Sequence, residues 1–317
     1  MRKAIAKQAS VQYQQDVDED QVVVFSGAQN ALFAIIICVA EKGDEVLLVE
    51  PAYTTYDAAA SAGGAIPKRV VLPASNGFQL DLAAIDNAIT EHTKAILINS
   101  PGNPSGIVFE QNKIAELVAL CRQRDVLIIS DEVYWSHIYN GVHTSPYAEN
   151  DGNDLTFVVN SLSKSHAMTG WRLGWVIAPK GLAHHLTDLA QCMLFGVNQF
   201  VQDAAIVALE ADIPELQAMR DEFRRRRDCL CSGLQSIPGI QVYPPDGGMF
   251  LLADVSATGL DGYQFAEQLL HSTGVSVVPG FGFGDSLVNF VRIGYLSDIE
   301  VLEQAVSRIR KFTDSIK

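Results

Sequence analysis

Short, wholly apolar runs alternate with stretches of helical periodicity, and this alternation limits the possible folds more than any single residue does. Val46 to Val49, Ala95 to Ile98, Val126 to Ile129 and Phe157 to Val159 read as strands of a parallel sheet buried on both faces. Between them, Ile114, Leu117, Val118 and Cys121 fall at i, i+3, i+4 and i+7, and Leu82, Ile85 and Ile89 at i, i+3 and i+7. Strand and helix in turn predict an α/β domain with helices on both faces. Leu173 to Ala178 is a further strand, stopped by Pro179-Lys180-Gly181.

The rhythm changes after about Asp212. Pro214 opens a long polar helix that passes through Arg224-Arg225-Arg226-Arg227 and ends at Pro238-Gly239. The arginine run reads as a solvated face of a linking helix. Strands follow at Ile240 to Tyr243, Met249 to Asp254, Val275 to Val278 and Asn289 to Ile293, with a helix around Tyr263 to Leu270. A last helix carries Ile299, Leu302, Val306 and Ile309 on one side. The expectation is a larger domain over residues 1–211 and a smaller α+β domain, with the linking helix, over 212–317.

Charge and cysteines exclude several function classes. A net charge of -14 argues against nucleic acid or an anionic membrane surface as partner. It leaves a small-molecule substrate open, because a few arginines can invert the field inside one pocket. The five cysteines include no C-x-x-C pair, which suits free thiols in a reducing compartment. The adjacent His184-His185 pair diverges on a helix and makes a poor metal site. Met1 to Gln15 contains no apolar run of the kind a signal peptide needs, and the longest apolar run, Ala31 to Ala40, is too short to span a bilayer. A cytoplasmic protein is expected. Met1 to Lys7 resembles the middle of a helix with no N-cap before it, so a preceding segment is expected to be missing from this chain.

The informative polar residues fall at the C-terminal ends of the expected strands, where open α/β sheets bind ligands. Ser26-Gly27-Ala28-Gln29 opens the helix that runs to Ala40; it is either a simple cap or a seat for a phosphate. Tyr53, in Pro51-Ala52-Tyr53, is a core residue or a ring that stacks on a planar ligand. Asn103, in the rigid turn Asn99-Ser100-Pro101-Gly102-Asn103-Pro104, stabilises that turn or is aimed at a ligand. Asp131 and Tyr134, in Asp131-Glu132-Val133-Tyr134, cap a short helix or meet a ring nitrogen and a phenolate oxygen. Lys164 sits in Ser161-Leu162-Ser163-Lys164, eight residues before Arg172 in Gly170-Trp171-Arg172-Leu173-Gly174-Trp175. A lysine among small hydroxyls, with a guanidinium close behind, suits covalent capture of an aldehyde cofactor whose phosphate the neighbours hold. Arg292, alone in an apolar strand, needs either an internal carboxylate or a substrate carboxylate. Gly280-Phe281-Gly282-Phe283-Gly284 has strands on both sides. A dinucleotide loop needs a strand before it and a helix after it, so nicotinamide chemistry is discounted.

In this order the strings resemble the class I/II aminotransferases, the fold type I enzymes dependent on pyridoxal phosphate, over nearly the whole chain. The resemblance implies a mostly parallel seven-stranded sheet sandwiched by helices and a smaller C-terminal α+β domain. Lys164 then matches the Schiff-base lysine, and Asp131 the acid that keeps the pyridine nitrogen protonated. Asn103 and Tyr134 match the pair on the cofactor's 3-oxygen, and Tyr53 the stacking aromatic. Gly27, Ala28, Gln29, Ser161, Ser163 and Arg172 match the phosphate cradle, and Arg292 the anchor of the substrate α-carboxylate. The strings Asn160 to Arg172, Leu189 to Leu194, Phe200 to Ala204 and Pro245 to Phe250 are most similar to those of arginine–pyruvate transaminases. The implied reaction moves an amino group from an L-amino acid to a 2-oxo acid by a ping-pong route. The same motifs also serve a β-lyase acting on cysteine conjugates, and a further alternative is a truncated chain that binds the cofactor without turnover. Phe195 to Gln199 resembles a segment that reaches into a partner's site, so a homodimer is expected.

Overall fold

The computed structural model describes residues 1–149 and 152–316; Lys317, at the end of the second expected domain, lies outside the described residues. The larger sheet contains β1 (Val22–Phe25), β2 (Glu45–Glu50), β3 (Ile66–Val71), β4 (Thr93–Asn99), β5 (Leu127–Asp131), β6 (Thr156–Ser161) and β7 (Gly174–Ile177). Their order across the sheet is β1-β7-β6-β5-β4-β2-β3. β7 runs antiparallel to both of its neighbours, and the remaining pairs are parallel. The seven-stranded, mostly parallel sheet is as expected.

The helices packed with this sheet are α1 (Arg2–Tyr13), α2 (Ala28–Val39), α3 (Tyr56–Ala62), α4 (Leu82–Ala88), α5 (Gln111–Arg124), α6 (Leu162–Ser165), α7 (Ala183–Leu194) and α8 (Gln199–Glu210). Side chains alternate between the faces of a strand, so a strand covered on both sides must be apolar at every position. Along β4, Ala95 and Leu97 join the core under α2, α3 and α7, whereas Ile96 and Ile98 join the opposite core under α4 and α5. Ile129 and Ile128 of β5 divide in the same way. Further along that second face, Val158 of β6 and Ile177 of β7 pack against Ile5 and Ala9 of α1 and Ala205 of α8.

The second region holds a four-stranded antiparallel sheet, ordered β10-β11-β9-β8. Its strands are β8 (Gln241–Tyr243), β9 (Phe250–Asp254), β10 (Val278–Pro279) and β11 (Phe290–Gly294). Around it pack α9 (Pro214–Gln235), α10 (Gly262–Thr273) and α11 (Ile299–Ser315). Leu230, Leu251, Phe265, Val291 and Ile309 form its core. Leu252, Phe283, Leu287 and Phe290 turn the other way and join the core of the larger sheet. The sequence boundary between residues 211 and 212 falls in the short link between α8 and α9.

Several details differ from the sequence reading. β5 extends two residues past Ile129, to Asp131, and pairs there with Asn99 and Val159. The expected strand from Val275 to Val278 is reduced to Val278–Pro279. β1 and β3 were not anticipated. β3 is an edge strand containing Pro67, Lys68 and Arg69, and it is mostly half-exposed, so it lacks the apolar run of its neighbours. The arginine run is not uniformly solvated. Arg227 is buried, lies over the Tyr139 ring at 5.0 Å and donates to the Pro245 carbonyl at 3.1 Å. Among the described residues no helix is long and apolar enough to cross a membrane.

Candidate active site

The C-terminal ends of β2, β4, β5 and β6 open onto one pocket of about 560 Å³, and β9, β10 and β11 of the smaller sheet supply part of its wall. Ala28, Gln29, Tyr53, Asn103, Asp131, Tyr134, Ser161, Ser163, Lys164, Arg172 and Arg292 all line it. Residues from 28 to 292 in the sequence are thus brought to one place. Gly27, singled out with them, lies beside Arg172: a Cβ on it would fall 2.5 Å from a guanidinium nitrogen, at a φ of +95°. Only glycine lets the arginine lie across the start of α2.

The three cations in this wall have no carboxylate partner among the described residues. Arg172 donates to the carbonyls of Thr169, at 2.9 Å, and Ser26, at 3.5 Å. Arg292 donates to the Asn103 side-chain oxygen at 2.9 Å and lies over the rings of Phe250 and Phe283 at 4.2 and 4.8 Å. The internal carboxylate that the sequence left open for Arg292 is therefore not there. Lys164 is half-buried. Desolvation, reinforced by Arg172 and Arg292, lowers its pKa below the ordinary lysine value.

Asp131 is the opposite case, a buried acid facing no cation among the described residues. Burial pushes its pKa up to about 6, against the pull of a hydrogen bond from Tyr56 and one from the Val133 N–H. The Tyr56 hydroxyl donates to Asp131 Oδ2 at 2.6 Å. The sequence reading missed Tyr56, although it stands three residues beyond Tyr53; the two rings meet edge to face at 5.7 Å. It also gave no role to Asn99, the last residue of β4. The Asn99 amide donates to the Asp131 carbonyl at 2.8 Å and its oxygen accepts the Asn103 N–H at 2.7 Å. One buried amide thereby fixes the Asn103 turn against the end of β5.

This arrangement fits pyridoxal 5'-phosphate, the group implied by the resemblance. The unpaired Arg172, the two serines and the N-terminus of α2, which lacks a side-chain cap, suit a phosphate. The buried acid suits a protonated ring nitrogen. The half-buried lysine suits the aldehyde carbon. Arg292 remains for a second anion.

Comparison with known proteins agrees with this geometry. Residues 1–309 match the family model described as aminotransferase class I and II. The chain is 45% identical over 309 residues to the arginine–pyruvate transaminase AruH of Pseudomonas aeruginosa, a match covering 98% of this chain and 79% of that protein. It is 36% identical to a probable aspartate/prephenate aminotransferase of Aquifex aeolicus, covering 100% and 82%. Among solved structures, the aspartate aminotransferase of Thermotoga maritima superposes with a TM-score of 0.94 at 34% identity, covering 99% of this chain and 81% of that one. The aromatic aminotransferase of Pyrococcus horikoshii superposes at 0.96 with 31% identity, covering 99% and 85%.

Proposed function

The chain belongs to the class I and II aminotransferases, which depend on pyridoxal phosphate, and from that premise we propose that it moves the amino group of L-arginine to pyruvate by a ping-pong route. The reading rests on the convergence of Lys164, Asp131, Arg172 and Arg292 on one pocket. Its choice of substrates rests on the similarity to AruH.

Bound in this pocket, the cofactor would supply an electron sink for the substrate's α-carbon. Lys164 would hold it at the aldehyde carbon. The free Lys164 amine would be the base that takes the α-proton and the acid that returns it, a role favoured by its lowered pKa. Asp131, held by Tyr56 and Asn99, would keep the ring nitrogen charged. Tyr53 would stack on the ring. Tyr134 and the Asn103 side-chain N–H would donate to the ring oxygen, with the Asn103 oxygen left on Arg292. Gly27, Ala28, Gln29, Ser161, Ser163 and Arg172 would hold the phosphate. Arg292 grips the α-carboxylate of amino and oxo acid alike, so the two half-reactions share one site.

Two copies associate through the face carrying Phe195, Phe200 and Val207. These side chains are 91%, 66% and 66% exposed, and the last two stand two turns apart on α8.

The test is a panel of L-amino acids with pyruvate as acceptor, scored by alanine formed. Arginine should give the highest kcat/KM. Equal or better turnover with aspartate or phenylalanine would refute the substrate assignment. Pyruvate and ammonia released from a cysteine conjugate, without alanine formation, would refute the transfer itself.

A further inference from the structure

An ion pair between neighbouring strands of the larger sheet, one partner buried and the other part-exposed, anchors the segment between β10 and β11 beside the substrate wall. Glu50, the last residue of β2, is 2% exposed. Its Oε2 accepts from Arg69 at 2.9 Å and its Oε1 from the Ser286 N–H at 2.9 Å. Arg69 comes from β3, and its other edge is held by both oxygens of Asp57, at 3.1 and 2.5 Å. The same guanidinium donates to the Phe283 carbonyl at 3.2 Å, and that oxygen also accepts the Ala52 N–H at 2.9 Å. The segment from Gly280 to Leu287, between β10 and β11, is thus tied to β3 and the end of β2 by three hydrogen bonds at two of its backbone groups. The fit is close: a Cβ on Gly284 would lie 2.0 Å from the Glu50 carboxyl carbon.

The residues tied in this way stand next to the site. Tyr53 follows Glu50 by three positions, and Phe283 lies against Arg292. The Glu50 carboxylate is buried, but the Arg69 and Asp57 side chains are 29% and 33% exposed, so solvent screens the cluster and its net contribution to stability is small. Its geometry is nonetheless demanding, since removing one partner strands the other. Such a pair is suited to fixing one arrangement of two bodies.

We propose that Glu50 and Arg69 are positioning residues for substrate carboxylate recognition. They act through Phe283, setting where Arg292 stands relative to Tyr53 and Lys164. This rests on the reading of Arg292 as the carboxylate anchor. The phosphate contacts and, Tyr53 apart, the ring contacts come from β4, β5, β6, the start of α2 and Arg172, so the pair should affect substrate binding more than cofactor binding.

The test uses cofactor-loaded protein with Glu50→Gln or Arg69→Met. Arg69→Lys serves as the milder variant, which keeps a charge beside Glu50 but cannot meet Glu50, Asp57 and the Phe283 carbonyl together. Hydrocinnamate, a carboxylate with no amino group to react, is titrated by calorimetry. Its Kd should rise about tenfold in the first two variants and less in Arg69→Lys. KM for amino donor and oxo acid should rise in parallel, with kcat within about threefold of the parent. The dissociation constant of the cofactor should change far less than that of hydrocinnamate. Equal hydrocinnamate Kd values in parent and folded variants would overturn the proposal, as would a matching loss of cofactor affinity. Absence of amino-group transfer by the parent protein would instead overturn the proposed function.

Discussion

Asp131 shows how one residue is set by its surroundings. In the chain alone it holds its proton more tightly when folded than when unfolded, because burial raises its pKa to about 6. The stability it contributes is complete below about pH 4 and disappears as pH rises through about 6. The difference amounts to roughly 3 kcal/mol. A protonated ring nitrogen opposite the carboxylate would remove that loss. Cofactor-free protein should therefore lose stability between about pH 4 and pH 7 in urea titrations, and Asp131→Asn should flatten the slope. Parallel curves for the two proteins would show that this acid is not the group responsible. The acid itself was legible in the sequence, because it ends a buried strand. Its controls were not: Tyr56 is 75 positions away and Asn99 lies on the neighbouring strand. Hydrogen bonds between distant residues leave no local periodicity to read.

Elements are legible where burial is complete. β4, β5 and β6 are apolar because both of their faces are covered, and the sequence displays them. β3 at the sheet edge and the two-residue β10 lack that signal. The attachment of α1 is another matter of packing. Its last residue, Tyr13, donates to Glu132 Oε2 at 3.1 Å. His143 shares that oxygen at 3.0 Å, while Ser130 and Ser145 donate to Oε1 at 2.9 and 2.5 Å. Glu132 is wholly buried, so each donor removed leaves a carboxylate lone pair unmet. Tyr13→Phe should cost about 1–3 kcal/mol in urea unfolding, with the cofactor spectrum unchanged. An unaltered midpoint would show that the Glu132 cluster does not secure α1.

At the scale of the whole molecule, the α/β class, the smaller second region and the pocket at the strand ends follow from the pattern of apolar runs and from residues such as Asn103, Asp131 and Lys164 at their ends. The seam at Glu50 and Arg69 does not, because it depends on how two sheets meet. The proposed association face is likewise a property of the folded surface. Phe200→Asp should convert a dimer into a monomer in sedimentation velocity at micromolar concentration; an unchanged sedimentation coefficient would place the interface elsewhere. All of these readings depend on Lys164 being the residue that carries the cofactor. Borohydride reduction of the loaded protein, followed by proteolysis and mass spectrometry, tests this directly. A phosphopyridoxyl group is expected on the peptide containing Lys164, and none in Lys164→Ala. The same label on a different lysine, or its persistence in that variant, would contradict that reading.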